Sequence, residues 1–349
     1  MPAKILSCAT AAPPHCYPMA EVFPYIERWL ESDDDLRRRA LKVLESAAIR
    51  QRSSIIPIEE IFTERSFEEK NNAYMEHAVD MACKVFEKAL VQSKLEATDI
   101  DCLISVSCTG YMIPSMDAYL INRCGLRRDT QRLPVMQMGC AGGTSGIIYA
   151  TDYLRAHPGR HVALVSVEFP TLTFQLGDRS MTNIVSSAIF ADGAACVILG
   201  DSPEVRPTVL ANSMYNFPDG TSLMGYALRN DGLQIVLDRA VPDAINEHFG
   251  NILDPFLAAQ RVDLADIEHM IFHPGSVKIL RKAEELLGRH GKNLDDSHAV
   301  LAEHGNMSSA TVLFILERVL RKHPARADRA LMLSFGPGFV GQTVLLQWS

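Results

Sequence analysis

Runs with the spacing of buried strands alternate with runs of helical spacing along most of this chain, and that alternation limits the fold more than any other feature. "DIDCLISVSC" reads as a buried strand, "LPVMQM" as a strand, "GTSGIIYATDYLRAH" as a helix, and "HVALVSVEF" and "GAACVILGD" as strands. After residue 205 the order returns. "DAINEHFGNILDPFLAAQ" is helical, "IEHMIFH" a strand, "VKILRKAEELLGRHG" and "SSATVLFILERVLRKH" helices, and "RALMLSFG" and "TVLLQW" strands. Two earlier helices complete the pattern: "NAYMEHAVDMACKVFEKALVQS", and one opened by the Asp33, Asp34, Asp35 cluster, where acids favour the positive helix end. An α/β fold is the class this order supports. Each half holds a strand, a reactive-looking turn, a helix and a strand, which suggests internal duplication although no repeat aligns by eye.

Composition excludes several functions. A net charge of −8 disfavours a general nucleic-acid binder but permits a local basic patch. No stretch reaches the ~18 apolar residues of a membrane span, so integral membrane association is not expected. The start lacks a long apolar signal region and is broken by prolines, so the expected location is cytoplasmic. The eight cysteines form no C-x-x-C; reduced core thiols fit better than a disulfide framework or a structural zinc site. No metal site is expected.

Four elements suggest chemistry. Cys140, in "PVMQMGCAGGTSG", stands where a strand hands over to a helix. Unpaired N–H groups and the helix dipole there would lower its pKa, and the surrounding glycines would leave room for a substrate. A buried structural cysteine is the competing reading. His273 ends the strand in "MIFHPGSVKIL", at the edge where open α/β sheets place ligands; a satisfied core histidine is its bland alternative. Asn306 precedes "SSATVLFILERVL" and could be an ordinary helix cap. In "SFGPGFVGQTVLLQW", Gly336, Gly338 and Gly341 match a dinucleotide fingerprint in form only. That motif needs a helix after the glycines and an acid ~20 residues on, whereas a strand follows here. A tight loop beside a site is the better reading.

In this order, Cys140, the "HPG" turn, "HGNMSSA" and "FGPG" resemble the type III polyketide synthases, the chalcone synthase-like family, over essentially the whole chain. The resemblance implies a thiolase-type fold: two pseudo-duplicated α/β halves, 1–204 and 205–349, in a five-layered αβαβα core, assembled as a homodimer. It implies iterative decarboxylative condensation of malonyl-CoA onto an acyl-CoA starter without an acyl carrier protein, followed by cyclisation to a pyrone, resorcinol or other aromatic polyketide. CoA thioesters are then substrates, and no cofactor is required. Cys140 corresponds to the acyl-carrying nucleophile, with His273 and Asn306 as its polar partners. Phe190 corresponds to the gatekeeper, and Thr173, Ser308 and the loop Ser334, Phe335, Gly336, Pro337 and Gly338 to the cavity wall. Arg39 and Lys42 correspond to CoA-phosphate contacts.

Three positions depart from the plant enzymes: Ser46 replaces a third CoA lysine, Cys108 a cavity threonine, and Ile113 a methionine that reaches into the partner's cavity. Three alternatives remain at this level: a ketoacyl synthase III-like condensing enzyme, a hydrolase using Cys140 and His273, or an inactive binding homologue.

Overall fold

The structure is a computed structural model, and it describes residues 3–349. Thirteen strands follow in chain order: β1 (Lys4–Ala11), β2 (His15–Pro18), β3 (Gln51–Ser54), β4 (Cys102–Val106), β5 (Gln131–Val135), β6 (Val162–Glu168), β7 (Gly193–Gly200), β8 (Pro207–Asn216), β9 (Met224–Arg229), β10 (Gly232–Leu237), β11 (His269–Phe272), β12 (Arg329–Gly336) and β13 (Val340–Trp348). Nine of them form one sheet in the order β11-β12-β13-β8-β1-β7-β6-β4-β5.

The sheet repeats itself. β1 lies antiparallel to β7, β7 antiparallel to β6, and β6 parallel to β4. β8, β13, β12 and β11 follow the same sequence of senses. The two half-sheets join through β1 and β8 at Lys4 and Thr208. The duplication suggested by element order is therefore present in strand topology, where no residue-by-residue repeat shows it.

Two helices lie between the half-sheets. Gly142–Ala156 packs against β4 and β6 of one and β12 and β13 of the other, while Thr311–Leu320 packs against β1, β7 and β11. From Thr311 through Glu317 every residue of the second helix is buried. A helix buried on all sides needs a middle layer, and an unbroken run such as "TVLFIL" supplies it. The helices Phe67–Ser93 and Val241–Gln260 cover the outer faces, completing five layers of α/β fold. Among the described residues no helix is long and apolar enough to cross a membrane.

Local signals explain several boundaries. Asp33 caps the helix Asp34–Ser46, its carboxylate accepting from the Leu36 N–H at 2.9 Å. Ser66 and Glu69 form a reciprocal capping box for Phe67–Ser93, so that helix starts earlier than its apolar periodicity predicts. One expected strand is displaced. "LPVMQM" was expected to run to Met138, but β5 ends at Val135. β5 is an edge strand that tolerates Pro134. Met136 to Met138 leave the sheet and carry the chain to Cys140.

Candidate active site

Cys140 sits in the 3-10 turn Gly139–Ala141 that leads into the buried helix Gly142–Ala156. Gly139 makes the turn at φ +48°, and a Cβ there would strike the Pro337 ring at 2.5 Å. The glycines that follow do not open space for a substrate, as the sequence suggested. A Cβ on Gly143 would lie 2.3 Å from the Ser309 carbonyl oxygen. Its lack of side chain lets the two middle-layer segments touch.

His273 stands at the end of β11, its N–H donating to the Leu333 carbonyl at 2.9 Å, and the chain turns directly after it. Asn306 precedes the Ser308–Ala310 turn that leads into Thr311–Leu320. Its side-chain oxygen accepts from the Ser308 N–H at 2.9 Å, and its amide nitrogen donates to the Gly275 carbonyl at 3.2 Å. The capping reading is thus partly correct, but the residue also ties the His273 turn to the middle layer. Cys140, His273 and Asn306 all line one cavity of about 500 Å³, well within the size range of small-ligand sites.

The electrostatics differ from the expectation of a lowered thiol pKa. Burial pushes the Cys140 thiol up to about 12; the Ser308 hydroxyl, the Asn306 amide and the backbone N–H pull the other way, and the negative charge of Glu168 adds to the rise. Burial also drives His273 down to about 3, and neither ring nitrogen has a hydrogen-bond partner among the described residues. Burial thus favours the neutral form of both groups. The helix terminus and its donors are present, but desolvation outweighs them.

A polar chain runs beneath the sulfur. The Ser308 hydroxyl lies 3.6 Å from the Cys140 Sγ and 3.3 Å from the Cys108 Sγ. Behind them Glu168 is fully buried, accepting from the Cys108 N–H at 3.0 Å, the Thr109 hydroxyl at 2.8 Å and the Ser309 hydroxyl. Sequence reading passed over Glu168, although an acid ending the apolar strand "VALVSVE" was a legible signal.

The other expected positions divide. Phe190, Cys108, Ser308, Phe335 and Pro337 line the cavity. Thr173 does not; it lines a neighbouring space of about 50 Å³ that shares Phe190 and Ile235 with the main cavity. Ser334 is buried away from it, its hydroxyl donating to Thr144 Oγ1 at 2.7 Å. Gly336 packs on the Cys140 turn, where a Cβ would meet the Met138 carbonyl oxygen at 2.5 Å, and Gly338 takes a positive φ of 77°. Neither glycine lines the cavity. Ile113 is 79% exposed on the surface.

Arg39 and Lys42 are exposed and do not line the cavity either, but Val43 and Ser46, one helical turn further on, do. The basic residues that do line it are Arg239, Lys278 and Arg281, which sequence reading missed. None of the three forms an ion pair among the described residues.

Comparison with known proteins bears on the fold and the family. The profile for the N-terminal domain of chalcone and stilbene synthases matches residues 1–203, and the C-terminal domain profile matches residues 209–348. A 1,3,6,8-tetrahydroxynaphthalene synthase of Streptomyces peucetius subsp. caesius is 37% identical, over 99% of this chain and 93% of that protein. A phloroglucinol synthase of Pseudomonas fluorescens is 28% identical over 97% of both. The crystal structure of the 1,3,6,8-tetrahydroxynaphthalene synthase of Streptomyces coelicolor A3(2), described as a bacterial type III polyketide synthase, superposes with a TM-score of 0.94 at 29% identity and 99% coverage of both chains.

Proposed function

The chain belongs to the chalcone and stilbene synthase family and is a type III polyketide synthase; within that family we propose that it builds an aromatic polyketide from malonyl-CoA at Cys140, His273 and Asn306. The observation that carries this reading is the His273 ring. A buried imidazole with two unpartnered nitrogens, facing a cavity that also holds a thiol and a carboxamide, is costly to keep unless a ligand completes it.

The steps follow from the neutral state of the site. As an acyl-CoA approaches, the neutral imidazole takes the Cys140 proton, and the thiolate attacks the thioester carbonyl and expels CoA. Malonyl-CoA then loses carbon dioxide, and charge grows on its thioester oxygen. The departing CoA thiolate takes back the proton that His273 had accepted, so the neutral ring, through its remaining N–H, and the Asn306 amide are the donors that stabilise that enolate. The carbanion attacks the acyl-Cys140 carbonyl and forms the new carbon–carbon bond. Decarboxylation generates the carbanion, so no cofactor is needed.

Malonyl-CoA as both starter and extender is favoured by the first-named relative. A tetrahydroxynaphthalene skeleton has ten carbons, which five two-carbon units supply. Arg239, Lys278 and Arg281 would meet the CoA phosphates at the cavity rim, with Arg39 and Lys42 further out. The exposed Tyr111 and Ile113 form an apolar surface that suits a second copy of the chain, in line with a homodimer.

Incubation with malonyl-CoA alone, read by mass spectrometry of the products, tests this proposal. A naphthol-type aromatic product, lost in Cys140→Ala, is expected. Product only from a long-chain acyl-CoA starter would redirect the reading to alkylpyrones or alkylresorcinols. Release of free acid without elongation would favour a hydrolase.

A further inference from the structure

Outside the cavity, two thiols meet. Cys83 lies on the helix Phe67–Ser93, and Cys124 closes the helix Met116–Arg123, which packs against it. Their sulfurs are 2.9 Å apart, with the Cys124 S–H donating to Cys83. A disulfide requires them only about 0.9 Å closer. We propose that Cys83 and Cys124 form a reversible thiol–disulfide site that a hydroperoxide closes, distinct from the Cys140 cavity.

The surroundings assign the roles. The Cys124 thiol holds the Cys83 thiol below its usual range, against the effect of burial, and the Arg123 guanidinium helps. Arg123 is itself held 2.7 Å from Asp80, one helical turn before Cys83. Among the buried cysteines, Cys8, Cys102, Cys140 and Cys196 are all pushed the other way by burial. The S–H of Cys124 directed at Cys83 from 2.9 Å and the neighbouring Arg123 favour Cys83 as the nucleophile, with the partly exposed Cys124 as the resolving partner.

The chemistry balances. The Cys83 thiolate attacks the peroxide O–O bond, becoming a sulfenic acid and releasing an alcohol, or water from hydrogen peroxide. The Cys124 sulfur then attacks that sulfenic sulfur and expels water. Two thiols are oxidised to one disulfide while one peroxide bond is reduced. The inference does not depend on the polyketide reading, since neither cysteine touches the catalytic cavity.

Peptide mapping of the wild-type enzyme after graded hydrogen peroxide, without reduction, tests it. The expected product is a Cys83 peptide joined to a Cys124 peptide, two hydrogens lighter than the pair, formed before any oxidation of Cys140 and reversed by dithiothreitol. In Cys124→Ser, dimedone should trap Cys83 as its sulfenic acid. The proposal fails if both thiols remain open to alkylation after oxidation, or if Cys140 oxidises first. The wild-type map decides the matter even if the variant does not fold.

Discussion

At residue scale the informative group is His273. Its position at a strand end was readable from "MIFHPG", but its electrostatic state was not, because desolvation depends on every element that closes around the ring. The unfolded imidazole binds a proton near 6.5, while the folded one stays neutral until about 3. Between these values the unfolded state holds more protons, so this contribution to stability is fully present above 6.5 and is lost as pH falls towards 3. Replacing His273 with Gln should therefore flatten the decline in denaturation midpoint between pH 6.5 and 4, compared with wild type. An unchanged slope would mean that the ring is solvated. Cys140 carries the same lesson: the spacing located it, yet burial reversed the expected direction of its pKa. Asn306→Ala removes buried bonds to Ser308 and Gly275 and should lower the denaturation midpoint, and in the folded enzyme it should lower kcat by on the order of a hundredfold, the usual effect of losing one oxyanion donor; a fall confined to KM would assign Asn306 to binding instead.

At the scale of elements, the alternation of periodicities gave α/β order correctly, while the segment from Thr311 read only as a helix, and its burial on all sides is known from the structure. What periodicity could not give was the meaning of "GCAGG". A glycine-rich turn reads as space for a ligand, but Gly143 is where two middle-layer segments come into contact. Gly143→Ala should drive a methyl group against the Ser309 carbonyl and lower stability by about 2 kcal/mol or more, measured by denaturant unfolding. A neutral effect would show that the segments can separate. The β9–β10 hairpin, which supplies Tyr226 and Ile235 to the cavity wall, was missed because its half-buried residues lack a clear two-residue alternation.

At the scale of the whole molecule, the duplicated half-sheets explain why the site lies where it does. One half supplies Cys140, the other His273 and Asn306, and the middle layer brings their turns to one cavity. Motif order in the sequence was enough to single out these three cavity residues, because each sits at a strand or helix end with distinctive neighbours. The rim cations were not legible, since Lys278 and Arg281, three residues apart on the helix Val277–Leu287, read as an ordinary solvated face until tertiary structure brings them and Arg239 to the cavity. Reversing charge at Lys278 and Arg281 together, each to Glu, should raise KM for malonyl-CoA by roughly tenfold or more with little change in kcat; unchanged KM would place the CoA phosphates elsewhere. The most direct test of the joined site is the peptide mass of enzyme quenched during turnover. With Asn306→Ala slowing the decarboxylative step, an acyl group should accumulate on Cys140. An acyl group on another residue, or polyketide formed by Cys140→Ala, would contradict the proposed role of that sulfur.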